Sequence, residues 1–168
     1  PTSAVGLDLK GVYLLKQQDY ENAIDAFTKA IESDSAFALA YYNRAVAYRY
    51  SGDAKRATAD LNRSITIRQD IPNVFFMRGL MENDKGDLNS ALSEYQQAIN
   101  IDGTYADAIF NKAYTLKALG NYPSAIKEAE KIADMESDSP QNWNLKGNVQ
   151  VLFGDYADAI QSYSTAIN

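Results

Sequence analysis

The sequence contains no cysteine and no histidine among its 168 residues. Without cysteine the chain has no disulfide, zinc thiolate or thiol nucleophile. Without histidine it lacks the commonest general base and the commonest metal ligand. No apolar run approaches the roughly 20 residues of a membrane-spanning helix, and no signal-peptide pattern is visible. These absences argue against a metal site, thiol-based catalysis and membrane insertion.

Basic residues are also few, with 16 lysines and arginines against 22 acidic residues and a formal net charge of −6. Because phosphate contacts need a basic surface, this balance disfavours nucleic acid as a partner. Neither a glycine-rich phosphate loop nor a Gly-x-Ser-x-Gly elbow is present. The repeated "ESDS" at 32–35 and 136–139 matches no calcium loop and predicts solvated helix ends. We expect a protein that is not an enzyme and has no cofactor and no metal.

The cellular location is open, because the absence of cysteine leaves the redox compartment undetermined. A cytoplasmic location is favoured, and an exported mature fragment is the alternative. The chain begins with Pro1 instead of methionine, which indicates an excised or processed piece.

What the sequence does contain is an internal repeat of 34 residues. Five units follow one another without a change of register, at 4–37, 38–71, 72–105, 106–139 and 140–168, the last of them truncated. We call residues at equivalent places in the units a column. One small column lies in the first half of each unit (Gly11, Ala45, Gly79, Ala113 and Gly147), and an alanine column lies in the second half (Ala23, Ala57, Ala91, Ala125 and Ala159). A period of this length is typical of repeat proteins.

Each unit carries two stretches with apolar residues spaced by three and four, which is typical of amphipathic helices. The stretches are separated by "QQD", "SGD", "KGD", "LGN" or "FGD". A glycine there ends one helix in the left-handed conformation, and the following Asp or Asn caps the next. The small columns allow the two helices to cross closely. The sequence therefore predicts ten helices in five antiparallel pairs, with no strand.

The columns resemble the tetratricopeptide repeat, most completely in "WNLKG…GDYADAIQSYSTAI" at 143–167. The resemblance covers about 160 residues, and it implies an all-α, right-handed superhelical solenoid of five helix-turn-helix repeats in a single domain over 1–168. It departs from the family at the proline that usually closes each repeat, which is replaced by Ser35, Gln69, Gly103 and Ser137.

One column is basic in all five repeats, and it consists of Lys10, Arg44, Arg78, Lys112 and Lys146. It is either a positive ladder for an acidic ligand or a set of ion pairs within the repeats. Acidic residues lie 16 positions further on in the middle repeats only, at Asp60, Glu94 and Glu128. We therefore favour the ion pairs.

By the family resemblance, the first helices of the repeats line a concave groove. We expect its surface to be apolar and aromatic at the centre, and to consist of Tyr42, Asn43, Val46, Tyr50, Phe76, Met77, Leu80, Phe110, Asn111 and Tyr114. These side chains either pack between neighbouring helices or bind an apolar or amphipathic segment of another protein. The second interpretation is favoured.

Members of the family that bind the acidic C-terminal tails of chaperones hold the tail with lysine, arginine and asparagine. The matching places here hold Asp8, Val12, Asn43, Asn73 and Met77. Only Asn43 fits, so binding of such a tail is not expected.

The leading functional hypothesis is a protein–protein interaction adaptor or scaffold. The alternatives are a structural spacer or self-association segment of a larger protein, and the targeting domain of an enzyme that is not included here. Self-association is suggested because Ile160, Tyr163 and Ile167 lie in the final helix without a following repeat to cover them.

Overall fold

The computed structural model describes residues 3–133, 135 and 140–167, and this part of the chain contains ten α-helices and no strand. The prediction of an all-α fold with five helix-turn-helix repeats is therefore confirmed. The helices are α1 (Ala4–Lys16), α2 (Tyr20–Ser33), α3 (Ala38–Tyr50), α4 (Ala54–Ile67), α5 (Pro72–Asp84), α6 (Leu88–Ile101), α7 (Ala106–Ala118), α8 (Tyr122–Ala133), α9 (Pro140–Phe153) and α10 (Tyr156–Ile167).

The chain divides into two compact units, Pro1–Arg78 and Gly79–Asn168. In the first unit α1 packs on α2 and α3 on α4, and α2 also contacts α3. In the second unit the corresponding pairs are α7 with α8 and α9 with α10. No helix of the described residues has the length and apolar character needed to span a membrane.

The turn between the two helices of a repeat is closed as the sequence predicts. Asp19, Asp53 and Asp87 each accept a hydrogen bond from the backbone N–H three residues later, which caps α2, α4 and α6. The residue before the cap has a positive φ, +82° at Gly86 for example. In the first repeat that place is held by Gln18, whose φ is 62°. A side chain in this left-handed conformation carries a steric cost that glycine avoids.

The helices of a pair cross where one contributes a glycine and the other an aromatic ring. A methyl group added at Gly79 would lie 2.6 Å from Cδ1 of Tyr95, and one added at Gly11 would lie 2.6 Å from Cδ1 of Phe27. Both distances are well below the 3.5–4.0 Å of an ordinary carbon–carbon contact. The glycine therefore provides the space that the ring occupies.

Repeats two and four use a different combination of sizes at the same columns. Repeat two has Ala45 and the smaller Leu61, both fully buried. Repeat four has Ala113 and Ala129, and the missing bulk returns three residues later as buried Ile132, where the other repeats have alanine or serine. Ile132 interrupts a small column, but the volume within its repeat is compensated.

The turns between repeats form without the family's proline. Asp34 and Asp102 each use a carboxylate oxygen to accept the backbone N–H two residues later, at 2.9 Å in both cases. Such an Asx turn reverses the chain by a side-chain hydrogen bond instead of by a fixed φ. The equivalent turn at Ser137 lies outside the described residues.

Candidate functional site

The basic column is used for ion pairs within repeats where the structure shows its partners. The Arg44 guanidinium donates from Nε and Nη2 to the two oxygens of Asp60, at 2.7 and 2.8 Å, and from Nη1 to Oγ1 of Thr28 at 3.1 Å. It also lies 5.7 and 5.8 Å from the ring centres of Tyr41 and Tyr48. The charge is enclosed on all of these sides, so it is not available to a ligand.

Repeat four repeats this arrangement with a lysine. Lys112 Nζ donates to Glu128 at 2.6 Å and to Gln96 at 2.5 Å, and Lys131 donates to the other oxygen of Glu128 at 2.7 Å. Burial acts to raise the pKa of Glu128, but the two lysines outweigh it and hold that pKa below its ordinary value. The predicted pairing is confirmed for Arg44 and Lys112.

The remaining members of the basic column are Lys10, Arg78 and Lys146. Arg78 and Glu94 belong to different units, and their pairing stays a prediction. Lys10 is exposed, and Lys146 lies 5.0 Å from the ring centre of Trp143.

The first unit carries three tyrosines on and beside the predicted binding surface. Tyr50, 57% exposed, stacks on Tyr20 with ring centres 5.8 Å apart and planes inclined by 12°. Tyr42 is half-buried, and its hydroxyl is hydrogen-bonded to the side chain of Asn73. Burial raises the pKa of Tyr42, so this hydroxyl is a neutral hydrogen-bonding group near neutral pH. The ring centre of Tyr50 also lies 5.9 Å from the guanidinium carbon of Arg49, so this exposed aromatic surface has a cation beside it.

Asp8 and Asn43 form a polar contact between α1 and α3. The Asn43 amide donates to both carboxylate oxygens of Asp8, at 3.0 and 3.2 Å. Asp8 is only 7% exposed, and burial raises its pKa while the amide hydrogen bond offsets part of that effect. The one side chain that matched the pattern for acidic tails is therefore already bound to a carboxylate of this chain.

Other predicted residues of the first unit are less accessible. Val46 and Phe76 are half-buried, and Met77 is 7% exposed. Their contribution to a binding surface stays a prediction.

The second unit has its own aromatic pair among the predicted residues. Phe110 is half-buried and Tyr114 is 51% exposed, with ring centres 6.5 Å apart. Leu80 is half-buried as well, and the Asn111 amide donates to the backbone carbonyl of Asp107 at 2.8 Å. We call Tyr42, Tyr50, Phe110 and Tyr114 the aromatic residues of the first-helix faces.

Sequence reasoning missed Tyr20, which belongs to a second helix and yet supports Tyr50 by stacking. The contact could have been predicted, because the antiparallel pairing of the helices brings the start of α2, where Tyr20 lies, close to the end of α3. Among the described residues no group of three or more acidic, histidine or cysteine side chains is placed to hold a metal ion.

Comparison with protein families agrees with the repeat pattern. A model described as TPR repeat matches residues 13–52 and 79–120. Two models described as tetratricopeptide repeat match residues 38–71 and 110–167. Together these matches cover most of the chain.

Curated relatives share the repeats over only part of their own length. A TPR repeat-containing protein of Methanocaldococcus jannaschii is 27% identical over 158 residues, which is 94% of this chain and 24% of the relative. The heat shock protein sti1 homolog of Schizosaccharomyces pombe is 29% identical over 103 residues, which is 61% of this chain and 17% of the relative. The chain thus spans a quarter or less of these two proteins.

Solved structures show the same fold. A thermophilic TPR protein of Thermus thermophilus superposes with a TM-score of 0.78 at 18% identity, covering 98% of this chain and 90% of that one. The first TPR of Spaghetti (RPAP3), bound to the HSP90 peptide SRMEEVD, gives a TM-score of 0.66 at 24% identity, covering 70% and 94%. At these identities the likeness concerns the fold alone.

Proposed function

Because the chain belongs to the tetratricopeptide repeat family, we propose that it is a protein-interaction module that binds a partner segment on its first-helix faces. A binding role fits a sequence without histidine or cysteine better than a catalytic one. The family comparison supports the proposal in general terms, since one structural neighbour holds a peptide.

The observation that carries the proposal is the exposure of Tyr50 and Tyr114. Each is more than half exposed, at 57% and 51%, and each lies beside another ring, Tyr20 in the first unit and Phe110 in the second. Tyrosines held in place by a neighbouring ring lose little conformational entropy on binding, and such residues dominate the energy of many interfaces. Both units therefore offer a preformed aromatic contact.

The partner segment we propose is apolar or amphipathic and is not an acidic tail. Arg44 and Lys112 could have bound carboxylates of a partner, but they form ion pairs with Asp60 and Glu128 of this chain. The Asn43 amide, the one group that fitted the pattern for acidic tails, is bonded to the Asp8 carboxylate. The acidic peptide SRMEEVD, bound by the structural neighbour, is expected to bind this chain no more tightly than a scrambled peptide in fluorescence polarisation.

The experiment is an affinity capture from a lysate of the source organism, with the chain compared with Tyr50→Ser and Tyr114→Ser. Each variant changes an exposed side chain, so we expect the fold to be retained, and circular dichroism checks it. Tyr122→Ser is the matched control, because Tyr122 is 55% exposed but lies on a second helix, α8.

A protein captured by the parent and by Tyr122→Ser, but lost from Tyr50→Ser or Tyr114→Ser, would support the proposal and name the unit that binds. Equal capture by all four chains would contradict it and favour the alternative of a structural spacer. The targeting-domain alternative gives the same capture result and differs only in what the rest of the protein does. The cytoplasmic location also stays a prediction.

A further inference from the structure

The two units of the chain differ in charge. Residues 1–78 contain 10 basic and 9 acidic side chains, a net charge of +1, whereas residues 79–168 contain 6 basic and 13 acidic side chains, a net charge of −7. The negative excess of the protein therefore lies in its second unit. A charge asymmetry of this kind attracts partners of opposite sign to one part of a molecule.

Helix α7 of the second unit carries two lysines, and both contact other helices of that unit. Lys112 forms its ion pair with Glu128 of α8. Lys117 donates from Nζ to the backbone carbonyl of Leu152 in α9, and this ammonium group lies 5.7 Å from the ring centre of Phe153. The positive charges of α7 are therefore used to hold the helices of the unit together.

An acidic residue of α7 shares one side of the helix with the aromatic pair. Asp107 lies in the first turn of α7, and Phe110 and Tyr114 follow it by three and seven residues. Side chains at this spacing lie along one side of a helix, here over about 10 Å. Asp107 is exposed, and its carboxylate forms no hydrogen bond or ion pair with any other residue that the structure describes. We call Asp107, Phe110 and Tyr114 the α7 face.

The corresponding side of α3 in the first unit has different chemistry. The column of Asp107 is occupied there by Leu39, which is 40% exposed. The charged group beside the exposed ring of Tyr50 is the guanidinium of Arg49. An exposed aromatic surface is thus accompanied by a cation in the first unit and by a carboxylate in the second.

We propose that the α7 face binds a basic amphipathic helix of a partner protein, an inference that rests on the proposed function and names the chemistry of the partner. Two apolar side chains one turn apart on the partner pack on Phe110 and Tyr114, as in other helix-in-groove complexes. A lysine or arginine one turn further along pairs with Asp107. The net charge of −7 in this unit attracts such a helix and speeds its association.

The probe is a fluorescein-labelled peptide of about 15 leucines and lysines, long enough to form a helix on binding, with leucines spaced by three and four. A second peptide has glutamate in place of every lysine. Fluorescence polarisation measures the Kd of both peptides for the parent chain and for Asp107→Asn, Tyr114→Ser and Glu130→Gln. Glu130→Gln is the matched control, because it removes the same charge from an exposed residue of the second unit that lies on a second helix, α8.

We expect the parent to bind the lysine peptide at least about tenfold more tightly than the glutamate peptide. Asp107→Asn should weaken binding of the lysine peptide by about two- to fivefold, the range of an exposed ion pair. Tyr114→Ser should weaken it by about tenfold, since a ring is lost from the contact. Glu130→Gln should change it by less than about twofold. Circular dichroism of each variant establishes that the fold is retained.

Three outcomes would overturn the inference. They are equal affinity for the two peptides, no binding of the lysine peptide, and equal losses in Asp107→Asn and Glu130→Gln, which would assign the attraction to net charge instead of to the α7 face. None of them decides the proposed function, because the lysate capture with Tyr50→Ser and Tyr114→Ser tests that separately. Peptide binding that depends on Tyr114 but not on Asp107 would refute the basic partner and support the aromatic contact.

Discussion

Replacing Gly79 by alanine should destabilise the protein although alanine is the better helix former. The new Cβ would lie 2.6 Å from Cδ1 and 3.1 Å from Cζ of Tyr95, a ring with no exposed surface. Ordinary carbon contacts need 3.5–4.0 Å, so the ring or the helix must move by about 1 Å. Overpacking of this kind costs about 1–3 kcal/mol.

Helix propensity works in the opposite direction at this position. Alanine is favoured over glycine in a helix interior by about 0.5–1 kcal/mol. The net loss for Gly79→Ala is therefore about 1–2 kcal/mol, and at roughly 2–4 °C per kcal/mol for a chain of this size it lowers Tm by several degrees. Urea and thermal unfolding followed by circular dichroism measure both quantities.

A second substitution tests whether the contact with Tyr95 is the cause. Tyr95→Leu alone should cost about 1–3 kcal/mol, because it opens a cavity. In that background Gly79→Ala should be neutral or stabilising, since repeat two already combines an alanine with a leucine at these columns. Gly103→Ala is the control, because a Cβ at Gly103 would meet nothing within 4 Å. Additive losses in the double variant would refute the steric explanation.

Three further predictions follow from other contacts. Gln18→Gly should raise the free energy of unfolding by about 0.5–1 kcal/mol in urea, because glycine removes the strain of a side chain in the left-handed conformation. Glycine also increases the entropy of the unfolded chain, but this cost is smaller than the strain. A loss of stability would contradict the prediction. Arg44→Lys should cost about 1–3 kcal/mol through its lost bond to Asp60, while Lys29→Ala, in an exposed pair, should cost under about 1 kcal/mol. The pKa of Asp8 is raised in the folded protein above the ordinary value of 3.8, so its contribution to stability is greatest at low pH. As the pH rises above 3.8, the parent should therefore lose stability relative to Asp8→Asn in urea unfolding. Parallel pH profiles of the two proteins would refute the assignment.

The fold was predictable because a 34-residue period places every column without reference to three-dimensional contacts. Helix starts at Ala38, Pro72, Ala106 and Pro140 coincide with the predicted starts of the repeats. The bulk at Ile132 looked like an interruption of a small column. The structure shows that Ile132 and the small Ala129 are both buried in the same repeat, so the larger side chain offsets the volume that the smaller one lacks.

The candidate site was less predictable, because its residues depend on what the adjacent repeat supplies. Asn43 fitted a carboxylate-binding pattern, and the structure shows that Asp8, one repeat earlier, has already taken its amide. Tyr50 was expected on the surface, but its support by Tyr20 depends on helix pairing. The repeat pattern predicts the position of a side chain, but contacts with residues of the neighbouring repeat determine whether its polar atoms are accessible.

The matching of Gly11 with Phe27, and of Gly79 with Tyr95, has a consequence for how such a chain can change by duplication. Both members of each pair lie within the same 34-residue repeat. A whole repeat that is inserted elsewhere therefore brings both the glycine and the aromatic ring that fills the space beside it. An exchange at the turn inside a repeat would instead join an alanine to an aromatic ring, or a glycine to a leucine, when it links repeat two with repeat one or three. We therefore expect genetic exchange to be tolerated at repeat boundaries, and to be penalised at that turn when it joins a repeat of the glycine–aromatic kind to repeat two.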